Sequence, residues 1–251
     1  MAFVVSAART TLAHHTADLV ISGSVTASGT TLPLQGTGQA DFTTGELAIT
    51  AAGSGGGHSL VMRERVTGGH LYLAETLDGN SLFAAIAPNK YWLESPPVAT
   101  TSGPIGGGTG DPISELRILA KRGNTVRPFE ASVIGSAKVY GFAVTPSRRL
   151  ISQGIQRAVA ESGLPPGLQQ QLRKQMTAAS LSYELDVWID ASGLTRRVTA
   201  NVQEAGATGA VTATYENYGV PVGRVLPPAS GGVISYADFL ATAESLSNPL
   251  A

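Results

Sequence analysis

The sequence predicts an α+β fold in one domain: a single large antiparallel sheet with a few short helices set against it. Three observations carry this. Apolar and polar residues alternate with a period of two over most of the chain. Gly-rich turns punctuate the alternation at the spacing of an antiparallel meander, and the near-continuous hydrophobic runs of a parallel sheet are missing. A few short stretches switch to helical spacing. No composition shift divides residues 1–251, so one domain covers the chain.

The elements follow in order. A helix is expected over 3–15, with Val4, Ala8 and Leu12 on one face. In ADLVISGSVTA, Ala17, Leu19, Ile21, Gly23 and Val25 oppose Asp18, Ser22, Ser24 and Thr26. In LPLQGTGQADF, Leu32, Leu34, Ala40 and Phe42 oppose Gln35, Thr37, Gln39 and Asp41. GELAITA puts Leu47 and Ile49 on one side, and SLVMRERVT sets Leu60 and Met62 against Arg63 and Arg65. HLYLAETL, containing Leu73, ends in an Asp78-Gly79-Asn80 turn.

Residues 87–112 read as a loop, rich in Pro and with glycines at 106–108. A helix is expected near 111–121, where Asp111 can cap, Pro112 suits the first position and Gly123 ends it. NTVRPFEASVIG and AKVYGFAVT read as strands hinged at Gly135. Helices near 147–161 and 165–178 present Ile151, Ile155 and Val159, then Leu168, Leu172 and Met176; Pro165 and Pro166 separate them. LSYELDVWID carries Leu181, Tyr183, Leu185, Val187 and Ile189 on one face and turns at Gly193 into TRRVTANVQEA and TGAVTATYENYG. YADFLATAESL closes the chain as a short helix.

Composition narrows the function. Charged residues make up 14% of the 251, against roughly 25% in an average soluble domain, and the formal net charge is −1. That is no electrostatic footprint for nucleic acid. Apolar residues reach 43% with only 6% aromatic, too aliphatic for disorder. The longest apolar runs fall short of the roughly 18–20 residues that span a bilayer. With no Cys, there is no disulfide framework, thiolate metal site or Cys nucleophile. In MAFVVSAARTTLAHH the Arg follows the apolar stretch, unlike a secretory signal.

Catalytic patterns are missing too. His14, His15, His58 and His70 show no metal-ligand spacing. There is no G-x-S-x-G elbow. His58 and Ser59 are neighbours in a strand, face opposite ways, and cannot pair as base and nucleophile. GTGQAD and GSGGGH are flanked by strands, so their glycines read as strand-bending rather than phosphate-cradling. Asp186 and Asp190 share an outer face with Ser182, Glu184 and Trp188, without the convergence of a glycosidase pair or a calcium loop. The chain reads as non-enzymatic, with no metal and no cofactor. The helices are too short and few to cover the strands as a dense slab. The sheet either curls into a packed core or curves around the helices and leaves an apolar hollow; both stand at this point.

YELDVWIDASGLTRRV and, further on, YENYGVPV followed by Pro227-Pro228 resemble actinobacterial cell-envelope lipoproteins of the LppX/LprG type. The order of SGSV, GTGQADF, YLAETL, KYWLESP, DPISELRILA and VRPFEASVIGSAKVYGFAV extends the resemblance over nearly the whole chain. It implies a LolA-like fold of the LolA/LolB carrier superfamily: a half-barrel of antiparallel strands wrapped around helices. It also implies non-enzymatic binding and transport of an acylated lipid or glycolipid in an apolar cavity at the bacterial cell envelope, with an envelope transport partner. The alternative is an extracytoplasmic sensor or protein-binding module of the same fold. The family's members sit at the membrane through a lipidated N-terminal Cys, which this sequence lacks, so membrane association would be peripheral and through an anchor and signal missing here. The cavity candidates are the apolar alternates Leu19, Ile21, Leu34, Phe42, Ile49, Met62, Leu73, Val139, Leu185 and Val187, with Ile155, Leu168 and Leu172 facing them from helices. Met62 and Met176 would be compliant fillers, and the Gly-rich 103–110 segment a lid.

Overall fold

A computed structural model describes residues 1–27, 30–95, 111–161, 165–167, 169–170, 182–204 and 207–247. Two antiparallel meanders make one 13-stranded sheet. The first comprises β1 (Thr16–Ala27), β2 (Thr30–Asp41), β3 (Glu46–Gly55), β4 (His58–Thr67) and β5 (His70–Leu77). The second comprises β8 (Thr125–Ile134), β9 (Ala137–Thr145), β10 (Ser182–Asp190), β11 (Thr195–Glu204) and β12 (Ala207–Glu216). β1 pairs with β12 and joins them. Beyond β5 lie β7 (Trp92–Ser95) and, parallel to it, β13 (Val233–Ser235); the two-residue β6 (Asn80–Ser81) pairs with β5.

The sheet curls, and its inner face explains why. Residues of β3, β1, β12, β11, β10 and β9 all reach one buried cluster. From β3 to β9 is six strand spacings, about 29 Å if flat. Yet Ile49 on β3 and Val144 on β9 belong to one buried cluster with residues of two helices, α1 (Ala2–Leu12) and α3 (Pro112–Leu119). Register puts Gly36 opposite Ile21, Gly38 opposite Leu19 and Gly23 opposite Leu34, all on the helix-facing side. A methyl group built on Gly36 would lie 2.1 Å from the Thr50 carbonyl oxygen, and on Gly53 1.8 Å from that of Pro33. Neighbouring backbone closes over these positions, so only glycine lets the strands bend inward this far. The fold is an α+β half-barrel of antiparallel strands around helices, the architecture that the resemblance implies.

The helices form as their caps dictate. The Asp111 carboxylate accepts from the Ile113 N–H at 2.9 Å, Pro112 fills the first turn, and Ile113, Leu116 and Leu119 turn into the core. α1 buries Val4, Val5, Ala7, Ala8 and Thr11. It ends at Leu12, short of the expected 15, because His15 takes a left-handed φ of 66° and its ring meets the Thr43 hydroxyl at 2.9 Å. α4 (Arg148–Glu161) matches the helix expected near 147–161. α2 (Leu82–Ile86) is a single turn capped by Ser81, and α5 (Tyr236–Ser247) closes the chain. The helix expected at 165–178 lies largely, and the lid at 103–110 wholly, outside the described residues. One expectation is corrected: the 87–112 loop contains β7. Trp92–Ser95 is short and bracketed by Pro, but Leu93 and Ser95 are buried against β5 and β13. Among the described residues, no helix is long and apolar enough to cross a membrane.

Candidate functional site

The candidate site is the concave face of the half-barrel. Leu19, Ile21, Phe42, Ile49, Leu185 and Val187 are all buried in the cluster beneath α1 and α3. Leu73 belongs to a smaller cluster with Leu71, Phe83, Leu93 and Ile234 at the β5–β7–β13 end. Leu34 and Met62 share the inner face, by register with Gly23 and Ala51, and are buried outside both clusters. Val139 is also buried, but its register partner is Asp190, which shares its side of β10 with Trp188. It therefore sits on the outer face and not on the inner one; β9 pairs Gly141 with Trp188, and alternation fixes the rest. Ile155 lies on α4 with its side chain outside the described set, as are Leu168, Leu172 and Met176.

The face is apolar from β10 to β3. Gly23, Gly36, Gly38, Ala40 and Ala51 continue it between the aliphatic side chains, from β1 across β2 to β3. Ala213, Val198, Ala200, Val187 and Leu185 carry it from β12 to β10. The helices fill one end: the cluster draws on the start of β1 and β3 and the end of β2, β10 and β12.

Three carboxyls interrupt the hydrocarbon, and none was among the expected site residues. Glu64 stands between Ile49 and Leu73 in the β3–β4–β5 row and is buried. Glu75 pairs with Met62 on the same face, and burial pushes its carboxyl up to about 7. Ile49, Met62, Glu64, Leu73 and Glu75 border a crevice too tight for a water molecule. Glu115, on the underside of α3, is only 4% exposed. Burial, with the Asp111 and Glu64 charges adding to it, holds its carboxyl well above the ordinary range. Tyr183 and Tyr215 lie close enough that the Glu115 and Asp111 carboxyls help raise their phenols, after burial itself. The Tyr215 hydroxyl donates to the Pro112 carbonyl oxygen at 3.0 Å. The signal was present: Glu64 and Glu75 fall at even register with Leu60, Met62 and Leu73, where alternation demands apolar residues.

Polar groups elsewhere serve the scaffold. Asp190 accepts from the Ser192 and Leu194 N–H groups and from Arg196 Nε at 2.6 Å, stapling the β10–β11 turn. Burial raises its carboxyl, but these bonds outweigh it and hold it below the ordinary range. His58 Nδ1 lies 2.8 Å from Asp78, and the Ser59 N–H donates to the same carboxylate at 2.8 Å. Here the carboxylate stands between histidine and serine, whereas a nucleophilic triad needs the histidine in the middle. Both side chains of the His58–Asp78 pair are about half exposed on a hairpin, so the group closes a turn rather than a cleft. On the outer face, a cleft of about 380 Å³ lies under residues 222–226. Its Glu46 accepts from Thr67 and the Val225 N–H, and its Arg65 donates to the Leu226 carbonyl, so those groups are spent on holding that segment. Among the described residues, no group of three or more His, Asp or Glu could hold a metal.

The solved structures similar to this chain include a lipoprotein and a lipoprotein-sorting domain. The Mycobacterium tuberculosis lipoprotein LppX is 12% identical, over 88% of this chain and 97% of that one, with a TM-score of 0.37. A DUF1329 family protein from Desulfovibrio piger is 8% identical, over 88% and 93%, with a TM-score of 0.35. An outer membrane lipoprotein-sorting protein domain from Vibrio parahaemolyticus is 8% identical, over 95% and 97%, with a TM-score of 0.29. No family model matches the chain, and no curated protein does.

Proposed function

We propose that the chain binds the acyl chains of a lipid or glycolipid in the hollow of its half-barrel and carries them at the bacterial cell envelope, without chemistry. One observation carries this reading. The inner face is aliphatic or glycine across six neighbouring strands apart from Tyr183 and Tyr215, and the helix-covered cluster lies at one end of it. Leu34, Ala51 and Met62, with Gly36 and Gly53 between them, continue the same surface beyond that cluster. In this reading the acyl chain packs along that aliphatic surface. Each methylene taken out of water there contributes about 0.8 kcal/mol, so a long chain is held without polar contacts. The VWID and YGVPV segments, through their resemblance to LppX/LprG-type lipoproteins, favour the same role and place. Titration of delipidated protein with a fluorescent palmitoyl probe tests it. Saturable binding, lost when Met62→Trp fills the hollow, supports it. No binding by the folded native chain, together with lipid-independent capture of a partner protein, would replace it with the protein-binding alternative.

A further inference from the structure

α3 plugs the half-barrel, and the plug is built with one incompatible group. Ile113, Leu116 and Leu119 tie it to the core, yet the same buried side carries Glu115. Every titratable group facing Glu115 among the described residues makes its ionisation harder. Glu64 approaches from β4, Asp111 caps the helix itself, and Tyr183 and Tyr215 face it from β10 and β12. α1, packed along α3, buries Val4, Val5, Ala7, Ala8 and Thr11, and its one cation, Arg9, is exposed. The cations of the α3 end, Arg117 and Lys121, are on its exposed side. The helix is held unequally. Its first turn is latched by the Tyr215 hydroxyl on the Pro112 carbonyl. Its last turn is moored by the Asn124 amide, which donates to the Ile118 and Lys121 carbonyls directly before β8.

We infer that α3 is a proton-controlled plug: it seats against the sheet while the Glu115 carboxyl is neutral and swings out about the Asn124 mooring when that carboxyl ionises. A charge at Glu115 adds to that of the Glu64 carboxyl and meets no cation among the described residues; the first turn leaves, Tyr215 loses the Pro112 carbonyl, and Glu115 reaches water. Out of the core, Glu115 ionises like an ordinary glutamate. One proton then separates the seated and open forms, and the open fraction rises about tenfold per pH unit across the interval between the two pKa values. The inference concerns the plug itself and stands whether or not the hollow takes a lipid.

Hydrogen exchange of the ligand-free full chain tests it, with protection factors corrected for intrinsic rates from about pH 6 to 9. Protection of the 113–119 amides should fall about tenfold per pH unit, while that of the β1–β12 amides holds. Glu115→Gln should abolish the slope. Glu64→Gln, which removes only the facing carboxyl, should keep it. A flat profile in the wild type overturns the inference, and so does an equally steep one in Glu115→Gln. Should Glu115→Gln not fold, Glu115→Met serves the same comparison.

Discussion

Replacing Glu75 by Gln should stabilise the protein at alkaline pH and change nothing in mild acid. Glu75 pairs with Met62 on the inner face of β5, and burial moves its carboxyl from 4.5 to about 7. The folded state therefore holds a proton that the unfolded chain releases. For a carboxyl shifted upward, stability is full at and below about pH 4.5, falls as pH rises toward about 7, and is flat above that. The shift of about 2.5 units corresponds to about 3.4 kcal/mol at 1.36 kcal/mol per unit. Partial exposure of the residue reduces this to about 2–3 kcal/mol. Gln keeps the shape and cannot ionise, so it escapes the loss. Urea midpoints followed by circular dichroism every half pH unit check this. The variant and wild type should coincide near pH 4.5 and separate by about 2–3 kcal/mol at pH 8, or roughly 4–12 °C in Tm for a chain of this size. A difference independent of pH would refute the reasoning, because it would mean that Glu75 carries its charge in the folded state.

The remaining predictions address the curl, the plug and the turn. Gly36→Ala puts a methyl 2.1 Å from the Thr50 carbonyl oxygen and should cost about 2 kcal/mol or more, read as a lowered urea midpoint. Tyr215→Phe removes the latch on Pro112 and should cost about 1 kcal/mol, with faster exchange confined to 113–119. Asp190→Ala frees the β10–β11 turn and should cost about 3 kcal/mol at neutral pH. Since the Asp190 carboxyl is held low, its contribution is present above the ordinary aspartate pKa and lost as pH falls through the depressed one, so the cost should vanish in strong acid.

Much of this fold is legible in the alternation. Leu19 and Ile21, Leu47 and Ile49, and Leu185 and Val187 keep strict period-two spacing and all lie in the core. The cap at Asp111 and the turns at Gly135 and Gly193, with φ of 59° and 81°, form where the residue types require them. Other features depend on partners distant in sequence. β7 is four residues long and is a strand because β5 and β13 flank it, which the Pro-rich surroundings hide. Val139 looked like a hollow residue because apolar character does not reveal which face a strand presents; only the pairing with Asp190 does. Glu64 and Glu75 were visible as breaks in an apolar register, but their burial follows from the curl. The curl itself rests on glycines whose effect depends on Thr50 and Pro33 in neighbouring strands.

The hollow is tested most directly by native mass spectrometry of the protein purified from its own host, followed by organic extraction and lipid analysis. A lipid-borne mass that survives purification, and an acylated lipid in the extract that Met62→Trp protein lacks, is the predicted result. A bare polypeptide mass and an extract free of acyl lipid, from folded protein of either form, would contradict it.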